Sequence, residues 1–270
     1  MQKLAIHSVP RSGSTWLGQI FNSNPNVAYR YQPLFSFAFK DRLNEYSSPE
    51  EIETFFGDIL LSRDEFLLQT GKKKLASSYP VFQKNENPTH IIYKEVRYHH
   101  IIQNLLNMDE TIRVIGLVRN PMGVLNSWFN SPREFRWDLG WDPLIEWREA
   151  PLKNQNRKED FFGFEKWKEV ALMFLRLKED FPERFYLLKY DELLKNPIGI
   201  TRKLFSFAGL ELTPVTEKFL LESRMKDDHE NYGVYKSHKA DVHWKKTLDS
   251  RIVESIHTDL KNTILEQFIQ

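Results

Sequence analysis

The segment Ile112-Arg113-Val114-Ile115-Gly116-Leu117-Val118 is apolar at every position but Arg113 and shows no alternation of polar with apolar residues. A strand that is apolar on both faces has to be covered on both, as an inner strand of a parallel sheet is. Parallel neighbours are joined by crossovers long enough to hold a helix. This stretch therefore predicts an α/β fold, a P-loop-like parallel sheet flanked by helices, and the rest of the chain agrees. Residues 3–9, 27–31, 90–95 and 185–190 read as further strands. Residues 15–23 place Trp16, Leu17, Ile20 and Phe21 on one helical face, and Asn24-Pro25 stops that helix. Ser48-Pro49-Glu50-Glu51 is a capping box with proline at the first helical position, opening a helix through Leu61. Phe164, Trp167, Val170, Ala171, Phe174 and Leu175 mark a helix before the strand at 185–190. After Leu248, Ile252, Ile256, Leu260, Ile264 and Phe268 recur at i+4 steps and predict one continuous last helix. No internal repeat or low-complexity linker interrupts the pattern. One domain over 1–270 is expected, with excursions near 35–85 and 130–160.

Composition narrows the function. Lys+Arg total 38 against Asp+Glu 37, a net charge of +1, so nothing biases the whole surface toward nucleic acid or an anionic membrane, and any anion site must be local. With no cysteine there is no thiolate nucleophile, disulfide or cysteine-based metal site. A strand beginning within a few residues of Met1 leaves no room for a signal peptide, and no apolar run approaches the roughly 20 residues needed to span a bilayer. A cytoplasmic location is the expectation.

Ser8-Val9-Pro10-Arg11-Ser12-Gly13-Ser14-Thr15-Trp16-Leu17 joins the first strand to the first helix. A tight turn followed by a helix start gathers backbone N–H groups around one point, with the helix dipole behind them, which makes an anion cradle. Gly13 lets the backbone approach closely, Ser12, Ser14 and Thr15 add hydroxyls, and Arg11 adds a fixed positive charge. The triphosphate-binding loop G-x-x-x-x-G-K-[ST] is not met, because Gly-Lys and a second glycine are missing. Arg119, not an aspartate that would hold Mg²⁺, follows the strand at 112–118. An ordinary strand-to-helix turn with a serine cap is the alternative when the loop is taken alone. The second signal is Arg119-Asn120-Pro121 at a strand's carboxyl end, with Ser127 in the helix that follows. Ligands of open α/β sheets sit at such ends. Together the two strand ends suit a ligand with anions at two separated positions.

These residues carry a family resemblance. Pro10-Arg11-Ser12-Gly13-Ser14-Thr15-Trp16 resembles the 5′-phosphosulfate loop of sulfotransferases that use 3′-phosphoadenosine 5′-phosphosulfate (PAPS). Arg119-Asn120-Pro121 with Ser127 is similar to their 3′-phosphate motif. Lys189-Tyr190-Asp191-Glu192-Leu193 with Asn196-Pro197 resembles a block whose tyrosine lies near the adenine. Tyr235-Lys236-Ser237-His238-Lys239 and Trp244-Lys245-Lys246 resemble the C-terminal segment that closes over the nucleotide. The four blocks stand in family order, and Tyr93-Lys94-Glu95-Val96-Arg97 is similar to a block of the carbohydrate branch.

The resemblance implies transfer of a sulfuryl group from PAPS to a hydroxyl of a carbohydrate or small molecule, without a metal and with adenosine 3′,5′-bisphosphate (PAP) as product. Arg11 would stabilise charge on the oxygen bridging to the leaving phosphate, and Lys94 would help neutralise the moving sulfonate. Arg119 and Ser127 would hold the 3′-phosphate. Arg11, Ser12, Gly13, Ser14, Thr15, Trp16, Tyr190, Lys236, Ser237, His238 and Lys239 complete the nucleotide set. The carbohydrate branch carries a Glu-Pro pair where this chain has Gln32-Pro33, and glutamine cannot take the acceptor's proton. His99, its neighbour His100 and Glu95 are the substitutes by position, histidine for its pKa of about 6.5; a strand-end ion pair with Arg97 is the structural alternative for Glu95. His7 is expected to be a buried, hydrogen-bonded residue. Residues 130–160 hold Trp137, Trp141, Trp147, Phe135, Arg133, Arg136 and Arg148, with Trp128 just before, and suit an acceptor wall or equally an excursion packed on the sheet. Phe35, Phe37 and Phe39 alternate in a second such wall, and Lys72-Lys73-Lys74 reads as a solvated loop. A metal-dependent nucleotide kinase and a nucleotide-binding module without turnover are the alternatives.

Overall fold

The computed structural model describes residues 1–70, 79–225, 234 and 240–269. Strands β1 (Gln2–His7), β2 (Val27–Tyr31), β3 (His90–Glu95), β4 (Ile112–Val118) and β5 (Phe185–Lys189) form one 5-stranded sheet in the order β2-β3-β1-β4-β5, every pair parallel. β4 is an inner strand, as its apolar run requires. Successive side chains point to two cores. Ala5, Ile91, Tyr93, Val114 and Phe185 face one, and Leu4, Ile6, Ile92, Ile115, Leu117 and Leu188 face the other. The first is covered by α2 (Pro49–Leu61) and by the helices Phe164–Asp180 and Ser250–Leu260. The second is covered by α1 (Ser14–Asn22) and by the helices Pro197–Ala208 and Pro214–Met225. Among the described residues no helix is long and apolar enough to cross a membrane.

Local chemistry sets the element ends. At α2 the Ser48 hydroxyl accepts from the Glu51 N–H while the Glu51 carboxylate accepts from the Ser48 N–H. β1 ends two residues before the expected limit, because the chain has to turn into the Pro10–Gly13 loop. The continuous last helix is not observed: the helix stops at Leu260, Asn262 adopts a left-handed φ of 62°, and a separate 3-10 turn runs over Ile264–Phe268. Steps of four residues rotate by about 40° each around a helix, so a long i+4 series drifts off one face. The break brings Leu265 and Phe268 back to the core and leaves Ile264 exposed.

A polar cluster is sealed in the first core. His7 Nδ1 lies 3.1 Å from His99 Nδ1, and His7 Nε2 lies 3.3 Å from the Tyr93 hydroxyl. The His99 ring also packs on Phe161 at 4.4 Å between centroids. One imidazole must donate and the other accept, so at least the accepting ring is neutral. Burial, with His100 as a second cause, depresses His7 to about 3, and burial beside His7 and His100 holds His99 well below the usual histidine range.

Two outcomes are expected. A side chain on Gly116 would meet Phe185 at 2.6 Å and Phe174 at 2.7 Å. Gly116→Val should therefore cost about 1–3 kcal/mol by overpacking, read as a lower urea midpoint at unchanged slope. The unfolded chain binds protons at His7 and His99 below pH 6.5, whereas the folded chain leaves them neutral down to about 3 at His7. Stability should accordingly fall as pH drops through 6.5. In thermal melts at pH 5, 6 and 7 the His7→Gln/His99→Gln double variant should lose less stability on acidification than the parent.

Candidate active site

From β1 the chain moves to β2 and β3 on one side, and from β4 it continues to β5 on the other. The strand order thus reverses between β1 and β4, and such a switch point opens a crevice at the carboxyl ends of the strands. The Arg11 loop follows β1 into this crevice and the Arg119 turn follows β4. The two meet: Arg119 Nη1 donates to the Arg11 carbonyl at 2.8 Å.

Arg11 and Gly13 both adopt left-handed φ, 69° and 90°, so the backbone curls before α1 begins at Ser14, with Thr15 next. Backbone N–H groups in such a curl converge on one point. The Ser8 and Ser12 hydroxyls are buried beside it with no hydrogen-bond partner among the described residues. Gly13 has a second reason to be glycine, because a Cβ there would overlap the Tyr190 ring. Tyr190 follows β5, lies edge-on to Trp16 at 6.4 Å and has the Arg119 guanidinium 5.1 Å from its centroid. Trp16 is buried and donates from Nε1 to Ser223 Oγ at 3.0 Å.

The Arg119 turn is held by Trp167, whose Nε1 donates to the Arg119 carbonyl at 2.9 Å, and by Asn120, which caps the helix Pro121–Phe129 through the Met122 N–H at 2.9 Å. Arg119 makes a two-pronged ion pair with Asp241, Nε to Oδ2 at 2.7 Å and Nη2 to Oδ1 at 2.6 Å. Ser127 lies on the other arginine: Arg11 Nε donates to Ser127 Oγ at 3.2 Å, and Arg11 Nη1 stands 3.7 Å from Glu134 Oε2. Asp241 and Glu134 were not singled out in the sequence. Asp241 is a lone acid after a basic stretch, and Glu134 is flanked by Arg133 and Arg136, which draw attention to positive charge. Lys236, Ser237, His238 and Lys239, like Lys72-Lys73-Lys74, lie outside the described residues.

At the carboxyl end of β3, Lys94 is only 2% exposed and holds its ammonium 4.4 Å from the centre of the Tyr31 ring. Glu95 is fully buried, one oxygen accepting from the Leu34 N–H at 2.7 Å and the other lacking a hydrogen-bond partner among the described residues. Burial raises its carboxyl to about 8. The alternative pairing of Glu95 with Arg97 does not form: Arg97 Nε donates to Asp160 at 2.6 Å and stacks on Phe35 at 4.0 Å. Register places Gln32 beside Glu95, one step past the Tyr31–Lys94 pair, and Gln32 is itself left-handed at φ 44°. His99 is sealed in the core, and His100 lies 3.9 Å from Glu45. Neither Glu95 nor His99 opens to the crevice.

The expected acceptor walls divide. Trp128 and Phe135 are core residues, while Trp137 is 57% exposed with its Nε1 donating to the Phe129 carbonyl at 2.7 Å. Trp147 stacks on Phe164 at 5.7 Å, and Arg148 pairs with Glu165 and Asp259. Phe39 is buried and Phe37 fully exposed, in turns rather than a strand. Among the described residues no group of three or more His, Asp or Glu side chains is arranged to hold a metal ion.

The family model described as "Sulfotransferase domain" matches residues 2–270. The chain is 23% identical over 261 residues to carbohydrate sulfotransferase 5 of Mus musculus, covering 78% of this chain and 64% of that one. It is 23% identical over 295 residues to carbohydrate sulfotransferase 3 of Homo sapiens, covering 87% and 59%. It thus spans about three-fifths of the length of these relatives. Its fold is similar to that of mouse sulfotransferase SULT7A1 complexed with PAP, with a TM-score of 0.54, 13% identity and coverage of 99% and 87%. It is also similar to that of retinol dehydratase in a complex with retinol and PAP, with a TM-score of 0.54, 16% identity and coverage of 97% and 82%. The five-stranded parallel sheet flanked by helices is that of a sulfotransferase domain, and the chain belongs to that family.

Proposed function

We propose that the chain transfers a sulfuryl group from PAPS to a hydroxyl of a carbohydrate or a small molecule. The observation that carries this reading is the 2.8 Å hydrogen bond from Arg119 to the Arg11 carbonyl, which sets two cationic loops on one crevice. A nucleotide with phosphates at both 3′ and 5′ positions matches two such loops, and ATP does not. The carbohydrate sulfotransferases among the relatives and the PAP complexes among the similar folds support the same donor and acceptor class.

In this reading the 5′-phosphosulfate lies in the curl of Arg11, Ser12 and Gly13 at the start of α1, where N–H groups and the helix dipole favour an anion. Arg11, always protonated, meets charge that grows on the bridging oxygen as the S–O bond breaks. Lys94, buried at the carboxyl end of β3 with its ammonium over the Tyr31 ring, favours the planar sulfuryl group in flight through its charge. Side-chain cations carry this stabilisation and no metal is invoked. Arg119 takes the 3′-phosphate in exchange for Asp241, whose two oxygens now hold the guanidinium as a phosphate would. Tyr190, fixed between Gly13 and Arg119, forms the wall for the nucleoside.

Isothermal calorimetry with PAP tests this. Arg119→Ala should weaken binding about 10–100-fold, the value of a charge-assisted bond. Asp241→Asn should tighten it severalfold, because a competing internal anion is removed. In thermal-shift assays PAP should raise the melting temperature well beyond Mg·ATP. The reverse order would overturn the donor assignment and favour a kinase.

A further inference from the structure

We infer that Glu134 is the group that takes the proton from the acceptor hydroxyl. This rests on the sulfuryl-transfer reading and supplies the base that Gln32 cannot. Glu134 Oε2 points toward Arg11 Nη1 at 3.7 Å, beyond hydrogen-bond reach, and has no hydrogen-bond partner among the described residues. Its side chain is 24% exposed, whereas Glu95 and His99 are sealed. Tyr31, whose ring carries Lys94 at 4.4 Å, lies within electrostatic reach of both Arg11 and Glu134. The carboxylate therefore stands beside the cations assigned to the sulfuryl group: Oε2 is shut from solvent on the Arg11 side, and the 24% exposure belongs to the other atoms of the side chain, from which side an acceptor enters.

Its position is rigid. The Glu134 N–H donates to the Ser131 carbonyl at 2.8 Å, its own carbonyl accepts from Trp128 Nε1 at 3.2 Å, and the next residue, Phe135, is buried against Trp128 and Phe129. A base on a fixed strut keeps its geometry without help from the substrate. In the step itself the acceptor O–H gives its proton to a Glu134 carboxylate oxygen while the acceptor oxygen bonds to sulfur. The S–O bond to the 5′-phosphate breaks, its electron pair stays on the phosphate oxygen, and PAP leaves. The protonated Glu134 then releases its proton to water.

The test compares Glu134→Gln and Glu134→Asp with the parent, using PAPS as donor and two acceptors, methyl β-glucoside and 4-nitrophenol. The sugar hydroxyl needs a base, while 4-nitrophenol is already largely ionised at pH 8. Glu134→Gln should lower kcat for the sugar about 100-fold or more, leave 4-nitrophenol within about fivefold and not weaken PAP binding. Glu134→Asp should recover part of the loss. Transfer to water, followed as sulfate release from PAPS, is the readout if the parent uses neither acceptor, and it should fall at least about tenfold in Glu134→Gln. A sugar rate, or in that case a hydrolysis rate, within about fivefold of the parent overturns the inference while leaving the donor reading intact. Equal losses with both acceptors together with weaker PAP binding would make Glu134 only a support for Arg11. A parent that binds no PAP would remove the reading and this base with it.

Discussion

A single contact, from the Arg119 guanidinium to the carbonyl of Arg11, joins the ends of two neighbouring strands. It is made possible by the left-handed backbone at Arg11, and it fixes one cationic loop relative to the other. β1 and β4 are paired residue by residue from Lys3 to His7, so the loops inherit the precision of the sheet. The chemistry proposed for the crevice depends on that spacing, because a bisphosphorylated ligand tests two positions at once.

Charge in the crevice is compensated in pairs. Arg119 is held by Asp241, and Arg11 has Glu134 close by. Largely desolvated arginines need partners for their charge, and in the crevice carboxylates supply them. The two pairs differ in kind. Asp241 binds through both oxygens at hydrogen-bond distance, whereas Glu134 keeps one oxygen unbonded among the described residues. The first arrangement suits a partner that exchanges with a ligand phosphate. The second suits a group kept ready for a proton.

Much of the sheet is legible in the sequence, for physical reasons. β2, β3 and β4 have the predicted bounds, because apolar β-rich runs flanked by breakers leave few alternatives. The Arg11 and Arg119 loops were legible because cations and small residues at strand ends have a specific use. The last helix was misjudged because periodicity does not register a left-handed residue such as Asn262. The base candidates were harder. His99 and Glu95 are titratable and correctly placed along the chain, yet burial depends on how loops fold over them. The Arg119–Asp241 pair joins residues too far apart in sequence for any local pattern to link them. Glu134 reaches Arg11 only because Phe135 anchors its loop in the core.

The all-parallel sheet has a consequence for the chain as it leaves the ribosome. Gln2 pairs with His90 and Lys3 with Ile112, so the central strand emerges first and waits for both neighbours. At about 5–20 residues per second, synthesis takes several seconds to supply them. Until then Leu4, Ala5 and Ile6 lack the strands that flank them in the folded sheet, and α1 is the first element able to cover Leu4 and Ile6.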